Sequence, residues 1–350
     1  MTITEAIKKV VDCVDLTSAD AESVLEQIMT GQCTDAQIAS LLTALRMKGE
    51  TVGELTGFAT VMRRKAARVH PRTTVSAEIG DTEREALIDT CGTGGDVSGS
   101  FNVSTATAFV VAGAGVRVAK HGNRSVSSQC GSADVVEALG VRIELPPEQI
   151  GLCIDEVGIG FLHAPLLHDA MKYVALARRQ MGIRTIFNML GPLTNPAGAN
   201  IQVVGVYAAH LTELLARVLG ELGSARALVV HGSDGLDEIT ITGESKVTEL
   251  NNGELSTYTV APEDFGLGRA TLAEIQGGDA HQNSRIILEV LQGERGPRRD
   301  IVLLNAAAAF VASSMAAGLS EGIGVAAQSI DSGNALNKLK RLIEFTNQGA

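Results

Sequence analysis

Apolar residues in the first part of the chain recur at helical spacing. Ile38, Leu42 and Leu45 lie four and three positions apart and therefore share one face of a helix. Thr34, just before them, is a residue type that caps helix N-termini. The pattern predicts a small helical domain over residues 1–72.

From residue 73 onward, short apolar runs, glycine-containing turns and helix-like segments alternate. EALIDTCGTGG and ARALVVHGSDG are two such runs with the turns that follow them. This alternation is typical of a mostly parallel central sheet flanked by helices. The predicted fold class is therefore α/β, with the small helical domain beside a larger sheet domain at 73–350. Ligands of such sheets bind at the carboxyl ends of the strands.

One uncharged stretch, Ile301 to Leu319, raises the question of a membrane span. It consists mostly of alanine and contains Asn305, Ser313 and Ser314. The chain has 350 residues and is 45% hydrophobic, enough for one large core and a smaller satellite domain. A buried, closely packed helix is the prediction for this stretch.

Charge and cysteine usage narrow the function classes. The net charge is −11 and the pI about 5.2, so the overall field repels nucleic acid and anionic membranes. Five cysteines without a CxxC pair indicate neither a disulfide framework nor a zinc site. The N-terminus resembles an amphipathic helix more than a signal peptide. A cytoplasmic protein that holds an anionic substrate locally is expected.

The first candidate loop is GTGGD at 92–96. Gly92, Gly94 and Gly95 let the backbone approach a diphosphate, while Val97 breaks the dinucleotide pattern GxGxxG and no GK[ST] occurs. The alternative is a tight turn followed by a helix cap. Residues able to bond phosphate or metal at the start of the next helix are Asn102, Ser104 and Thr105.

The second candidate loop is KHGNRSVSS at 120–128, where hydrogen-bond donors and cations crowd around Gly122. Lys120 suits a phosphate as a point charge, whereas His121 alone is often a local hydrogen-bonding residue. A solvated polar loop is the alternative. Two such loops, each between a strand and a helix, suggest a ligand with two phosphate groups. Groups that could wrap a terminal phosphate are Ser127, Ser128, Gly131 and Ser132.

Two further features are weaker indications of function. Asp237 and Glu238 adjoin in HGSDGLDEITIT with no basic residue within several positions, which suits Mg²⁺ bridging to substrate phosphates. Taken alone, the pair is better explained as an ordinary solvated turn, and the metal interpretation depends on the phosphate loops. Arg178, Arg179 and Arg184 lie on or just after a helix predicted to end near Gly182, and one of them could hold a carboxylate. Spacing does not say which.

Taken together, these motifs resemble the anthranilate phosphoribosyltransferases over nearly the whole chain. The wider family includes pyrimidine nucleoside phosphorylases and shares a helical-plus-α/β architecture. The resemblance adds helices from about 166–186 to the helical domain and implies a homodimer formed through that domain. The motifs that carry it are GTGGD, NVST at 102–105, KHGNRSVSS, GSAD at 131–134, RTIFNMLGPLTNPA from Arg184, and GLDE at 235–238.

The resemblance also implies roles for individual residues. Ser104, Asp237 and Glu238 would serve two Mg²⁺ ions per subunit. Anthranilate would contact Gly92, Asn123 and Arg178. Gln129 stands where many relatives have lysine, which lowers the charge of that loop. The residues expected at phosphoribosyl pyrophosphate are Gly92, Gly95, Asp96, Ser100, Asn102, Val103, Ser104, Thr105, Lys120, His121, Gly122, Asn123, Arg124, Ser125, Val126, Ser127, Ser128 and Ser132.

The implied reaction joins the amine of anthranilate to C1 of the ribose and expels pyrophosphate, as a step of tryptophan biosynthesis. An aromatic amine is neutral at pH 7 with its lone pair free, so no catalytic base is nominated. One alternative is a pyrimidine nucleoside phosphorylase, which needs one anion site rather than two. Another is a non-enzymatic relative of the same fold that binds nucleic acid, for which a basic stripe is expected.

Overall fold

The computed structural model describes residues 1–71, 86–94, 99–125 and 129–348. Helices at the N-terminus pack beside a seven-stranded, mostly parallel sheet that carries helices on both faces. The predicted fold class is confirmed.

The chain begins with four helices, each started by a threonine. In every case the threonine side chain accepts from the backbone of the third helical residue, whose own side chain reaches back to the threonine backbone. This capping box satisfies backbone donors that a helix start leaves without partners. The predicted cap at Thr34 is confirmed. The helices are α1 (Ile3–Val11), α2 (Ser18–Met29), α3 (Asp35–Lys48) and α4 (Val52–Lys65).

The strands form one sheet in the order β3-β2-β1-β4-β5-β6-β7. The first five in chain order pair in parallel, and the last two add in antiparallel fashion beyond β5. The strands are β1 (Leu87–Gly92), β2 (Arg117–Gly122), β3 (Ile159–His163), β4 (Ile201–Gly205), β5 (Arg226–Gly232), β6 (Ser245–Asn251) and β7 (Glu254–Val260).

Helices connect the parallel strands and close the C-terminal part. Those within the sheet region are α5 (Val103–Gly113), α6 (Ser132–Ala138), α7 (Pro147–Val157), α8 (Ala164–Leu167), α9 (Lys172–Met181), α10 (Ile186–Leu193) and α11 (Leu211–Glu221). Those that follow it are α12 (Ala280–Leu291), α13 (Pro297–Ala312), α14 (Leu319–Asp331) and α15 (Asn334–Asn347).

Alternate residues of the strands point into two different cores. Val203 packs with α5, α13 and their neighbours on one face, whereas Val204 packs with α1 to α4, α9 and α10 on the other. Leu228 and Val229 of β5 divide in the same way. Side chains alternate across a strand, so each strand contributes to both cores. One of the two cores is shared by the N-terminal helices and one face of the sheet.

The alanine-rich stretch is a buried helix, as predicted. Helix α13 begins at Pro297 and ends at Ala312, so it is shifted towards the N-terminus of the predicted segment. A Cβ added to Gly322 of α14 would lie 2.8 Å from the Cα of Ala307. Small residues therefore allow these two helices to approach closely. Within the described residues, no helix is both long and apolar enough to cross a membrane.

Candidate active site

The carboxyl ends of four parallel strands meet at one edge of the sheet. Gly92 at the end of β1 pairs with Gly205 at the end of β4, and Gly122 of β2 pairs with His163 of β3. Both predicted loops leave the sheet at this edge, where ligands of such sheets bind.

The loop after β1 is fixed to the end of β4. The amide of Thr93 donates to the carbonyl of Gly205 at 2.9 Å, and the Thr93 hydroxyl accepts from the amide of Tyr207 at 3.2 Å. Gly94 takes a φ of +62°, which glycine adopts without strain. Gly95 and Asp96 lie outside the described residues.

The acidic pair belongs to the same site. The Asp237 carboxylate accepts a hydrogen bond of 2.8 Å from the amide of Gly94, and a Cβ on Gly92 would overlap that carboxylate. Asp237 is only 9% exposed, while Glu238 is half-buried. The structure thus brings together two motifs that are more than 130 positions apart in the sequence.

The turn that carries the pair is held internally by Asp234. One carboxylate oxygen accepts from the amide of Leu236 at 3.1 Å. The other accepts from the hydroxyls of Thr240 at 2.6 Å and Thr242 at 2.5 Å. Asp234 therefore ties together the residues on both sides of Asp237, a role that its chain position alone did not indicate.

Lys120 and Ser104 lie together beside the end of β1. The Lys120 ammonium donates to the carbonyl of Thr90 at 2.5 Å and to the Ser104 hydroxyl at 3.5 Å. The Thr90 hydroxyl in turn donates to the carbonyl of Ser104 at 3.0 Å. Because Lys120 is only 3% exposed, its charge is directed by this network rather than free to move in solvent.

Asn102 joins the two loops. Its side-chain amide donates to the carbonyl of Cys130 at 3.2 Å, and its side-chain oxygen accepts from Asn283 at 3.0 Å. Asn102 precedes α5, so the start of that helix is fixed to the second loop. Ser100 is bridged to Gln276. Val103 and Thr105, both in the first turn of α5, are buried.

The second loop folds back onto the start of α6. The amide of Asn123 donates to the Ser132 hydroxyl at 3.2 Å. Arg124 forms ion pairs with Asp134 at 3.0 Å and Glu137 at 2.9 Å, which raise its pKa. In this structure Arg124 therefore stiffens the loop through α6. Val126, Ser127 and Ser128 lie outside the described residues, and Gln129 is exposed.

Two buried histidines lie next to each other at this edge, and the sequence motifs include only one of them, His121. The rings of His121 and His168 have centroids 5.2 Å apart. Burial lowers the pKa of His121 to about 3, with smaller contributions from His168 and Lys120. Burial likewise lowers the pKa of His168 to about 4. Both rings are therefore neutral at pH 7. His168 lies 47 positions from His121 in the chain, and only the fold pairs them.

The three candidate arginines differ in burial and in the aromatic ring that they contact. The Arg178 guanidinium lies over the ring of Phe187, 5.3 Å from the centroid, and burial lowers its pKa. Arg179 is exposed, and Arg184 lies over the ring of Tyr207, 4.6 Å from the centroid. Phe187 belongs to α10, as does Gly191, whose backbone bonds the His121 ring. Helix α10 therefore links Arg178 to the second loop.

The donor set fits a hard divalent cation shared with a substrate. The Asp237 carboxylate and the Ser104 hydroxyl are oxygen ligands beside β1 or its loop, and Glu238 is the next residue after Asp237. The part of the chain that the structure describes contains no cluster of three or more His, Cys, Asp or Glu side chains that could hold a metal alone. Mg²⁺ usually takes one or two carboxylates, waters and substrate phosphates, which agrees with this arrangement.

Two family models match the chain along the lines of this architecture. The helical bundle domain of the glycosyl transferase family matches residues 4–66, and its a/b domain matches residues 84–336. The chain therefore has the helical and a/b regions of this glycosyl transferase family.

Full-length relatives narrow this class. The anthranilate phosphoribosyltransferase of Symbiobacterium thermophilum is 56% identical, over 98% of this chain and 97% of its own. The crystal structure of the Thermus thermophilus enzyme of that name has a TM-score of 0.89 at 42% identity, over 97% of this chain and 99% of its own. The Saccharomyces cerevisiae enzyme in complex with PRPP and Mg has a TM-score of 0.87 at 29% identity, over 98% and 97%. The chain belongs to the anthranilate phosphoribosyltransferase family.

Proposed function

We propose that this protein transfers the phosphoribosyl group of 5-phosphoribosyl 1-pyrophosphate to the amine of anthranilate in tryptophan biosynthesis. The products are N-(5-phosphoribosyl)anthranilate and pyrophosphate. The observation that carries the proposal is the hydrogen bond from the Gly94 amide to Asp237. It places the glycine loop and the acidic pair at one site, as a diphosphate with a bridging cation requires.

The sugar donor is assigned to the edge of the sheet. The amides of the first loop would face the negative charge that develops on the departing pyrophosphate, and those of the second loop would bind the terminal phosphate, whose charge does not change in the reaction. Lys120, Asn102 and Ser132 support this assignment because each is fixed by hydrogen bonds at the loop ends. Gly95, Asp96 and the segment 126–128 keep their proposed contacts as predictions from the sequence.

We infer that Ser104, Asp237 and Glu238 serve two Mg²⁺ ions per subunit. When bound, Mg²⁺ supplies positive charge that neutralises the departing pyrophosphate. The chain's own contribution is to hold the two carboxylates beside the glycine loop.

The acceptor is assigned to the side of the second loop that faces α10. Arg178, fixed on Phe187, would hold the anthranilate carboxylate, and Asn123 and Gly92 would border its ring and amine. In the reaction the C1–O bond to pyrophosphate breaks, the C1–N bond forms, and the amine loses a proton after attack. Positioning and charge stabilisation account for catalysis, and no residue is assigned as a general base.

The decisive assay mixes the protein with anthranilate, phosphoribosyl pyrophosphate and Mg²⁺ and follows the loss of anthranilate fluorescence. Loss that requires all three components and stops on addition of a chelator is expected. Phosphorolysis of thymidine or uridine without consumption of anthranilate would instead identify a nucleoside phosphorylase.

We also propose a homodimer formed through a helical domain of residues 1–72 joined by helices from about 166–186. Helix α9 packs against α2 and α3. Exposed apolar side chains occur on α3, on α9 and just after α9, where Met47 is 83%, Leu176 40% and Ile183 51% accessible. Light scattering should give twice the chain mass, and Leu176→Glu should reduce it to the single-chain value.

The five free thiols support a reducing, cytoplasmic location.

A further inference from the structure

The buried helix α13 contains one amide side chain in an otherwise apolar interior. Asn305 is only 2% exposed and lies in the run LNAAAAF. Asparagine is a poorer helix former than the alanines around it, and burying its amide is unfavourable unless the amide is hydrogen-bonded. If this position served only helix packing, another small apolar residue would be more favourable than asparagine. The hydrogen-bond partners of the Asn305 amide therefore indicate its role.

Outside its own helix, the Asn305 side chain bonds the backbone amide and carbonyl of Ile239. The Ile239 amide donates to Asn305 Oδ1 at 2.9 Å, and Asn305 Nδ2 donates to the Ile239 carbonyl at 2.9 Å. Nδ2 also donates to the carbonyl of Ile301 one helical turn earlier, at 2.9 Å. The two carbonyls and one amide fix the orientation of the side-chain amide, because only Nδ2 can donate and only Oδ1 can accept.

Ile239 directly follows Glu238 and is fully buried. It lies outside the strands, between the end of β5 and the start of β6, and no strand in the described part of the chain pairs with its backbone. A buried amide and carbonyl need partners, and the Asn305 side chain supplies both in the manner of a strand.

We propose that Asn305 is a positioning residue for the acidic pair. It holds the peptide immediately after Glu238, while the Gly94 amide holds the Asp237 carboxylate. The two contacts together fix where the carboxylates face, before any cation binds. This inference rests on the proposed metal role of Asp237 and Glu238.

The test compares Asn305→Ala with Ser329→Ala. Ser329 is also buried, and its hydroxyl donates to the carbonyl of Val110 at 2.7 Å, so its removal deletes a buried side-chain contact to backbone away from the acidic pair. In metal-free protein, hydrogen exchange of peptides that contain Ile239 should be faster in Asn305→Ala and unchanged in Ser329→Ala.

The second measurement is binding of Mn²⁺, a paramagnetic probe for the Mg²⁺ site, by electron paramagnetic resonance with phosphoribosyl pyrophosphate present. Loss of an outer contact to metal-binding carboxylates is expected to raise the dissociation constant about 10- to 100-fold in Asn305→Ala. The KM for the sugar donor should rise, and the KM for anthranilate should not. If Asn305→Ala does not fold, Asn305→Ser, whose shorter side chain reaches fewer of the Ile239 groups, should show the same changes at smaller size.

The outcomes separate the two proposals. Wild-type protein that binds no Mn²⁺ in the presence of the sugar donor would overturn the proposed metal role and this inference with it. Wild-type protein that binds Mn²⁺, with Asn305→Ala and Ser329→Ala binding it equally well, would overturn the inference alone.

Discussion

The carbonyl oxygen of Asp237 occupies the space that a Cβ on Gly205 would fill. Gly205 ends β4 and accepts the Thr93 amide, so the missing side chain lets three segments meet: the end of β4, the first loop and the acidic turn. The geometry of the candidate metal site therefore depends on a residue with no functional group.

Gly205→Ala is expected to displace the acidic turn. Overpacking of this kind typically costs about 1–3 kcal/mol of stability, and turnover should require more Mg²⁺ because the carboxylates move. Thermal unfolding and an Mg²⁺ titration of the rate measure both effects. Gly324→Ala is the matched control, since no atom of the described residues lies within 4 Å of its Cβ position in α14 and the change removes a helix-interior glycine. It should raise stability by about 0.5–1 kcal/mol. Equal behaviour of the two variants would contradict the close packing at Gly205.

Neutralising the acidic pair tests the metal assignment directly. Asp237→Asn with Glu238→Gln keeps the size of both side chains and the acceptor for the Gly94 amide, but removes two negative charges. We expect turnover to fall by at least about 100-fold, since charge stabilisation by a bound metal is worth several kcal/mol. The fold, followed by circular dichroism, should be retained. Unchanged turnover across an Mg²⁺ titration would remove the pair from the mechanism.

Local sequence patterns predicted the strand-to-helix loops, the cap at Thr34 and the buried alanine-rich helix, because each depends on neighbouring residues. The partners of Asp237 and Asn305 depend on contacts between distant segments, and no local pattern encodes them. Asn305 was visible only as a polar residue in an apolar stretch. His168 gave no signal, since its environment is created by His121 from another strand end.

Lys120 and Arg124 illustrate the same limit. From its place in a loop rich in donors, Lys120 is predicted to face a phosphate, whereas a substrate contact of Arg124 is implied by the family resemblance. In the structure the Lys120 ammonium donates hydrogen bonds to Thr90 and Ser104. The Arg124 guanidinium forms ion pairs with Asp134 and Glu137. Sequence identifies the charges in a loop, whereas their orientation depends on the carboxylates and carbonyls that folding brings near.

The buried histidines predict a pH dependence of stability. The pKa of His121 is about 3 and that of His168 about 4 in the folded protein, against about 6.5 in an unfolded chain. Between these limits the unfolded chain binds protons that the folded protein does not, so stability falls as the pH falls below about 6.5. Each histidine contributes a slope of about 1.4 kcal/mol per pH unit in the middle of that window.

Urea unfolding at several pH values between 7.5 and 5 measures this slope. His168→Gln should flatten it, and His210→Gln controls for removal of an imidazole from an exposed position. An equal change of slope in the two variants would contradict the assignment to the buried pair.

Arg178 and Arg179 offer a matched test of the acceptor site, because they are adjacent on α9 but differ in burial. Arg178 lies over Phe187 and, as proposed, meets the anthranilate carboxylate. Since a hydrogen bond to a charged group contributes about 1.5–3 kcal/mol, Arg178→Ala should raise the KM for anthranilate by roughly 10- to 100-fold. The KM for phosphoribosyl pyrophosphate should change far less. Arg179→Ala should leave both constants near the wild-type values. Equal increases of both constants in Arg178→Ala would show that this arginine supports the fold of the site instead of binding the acceptor.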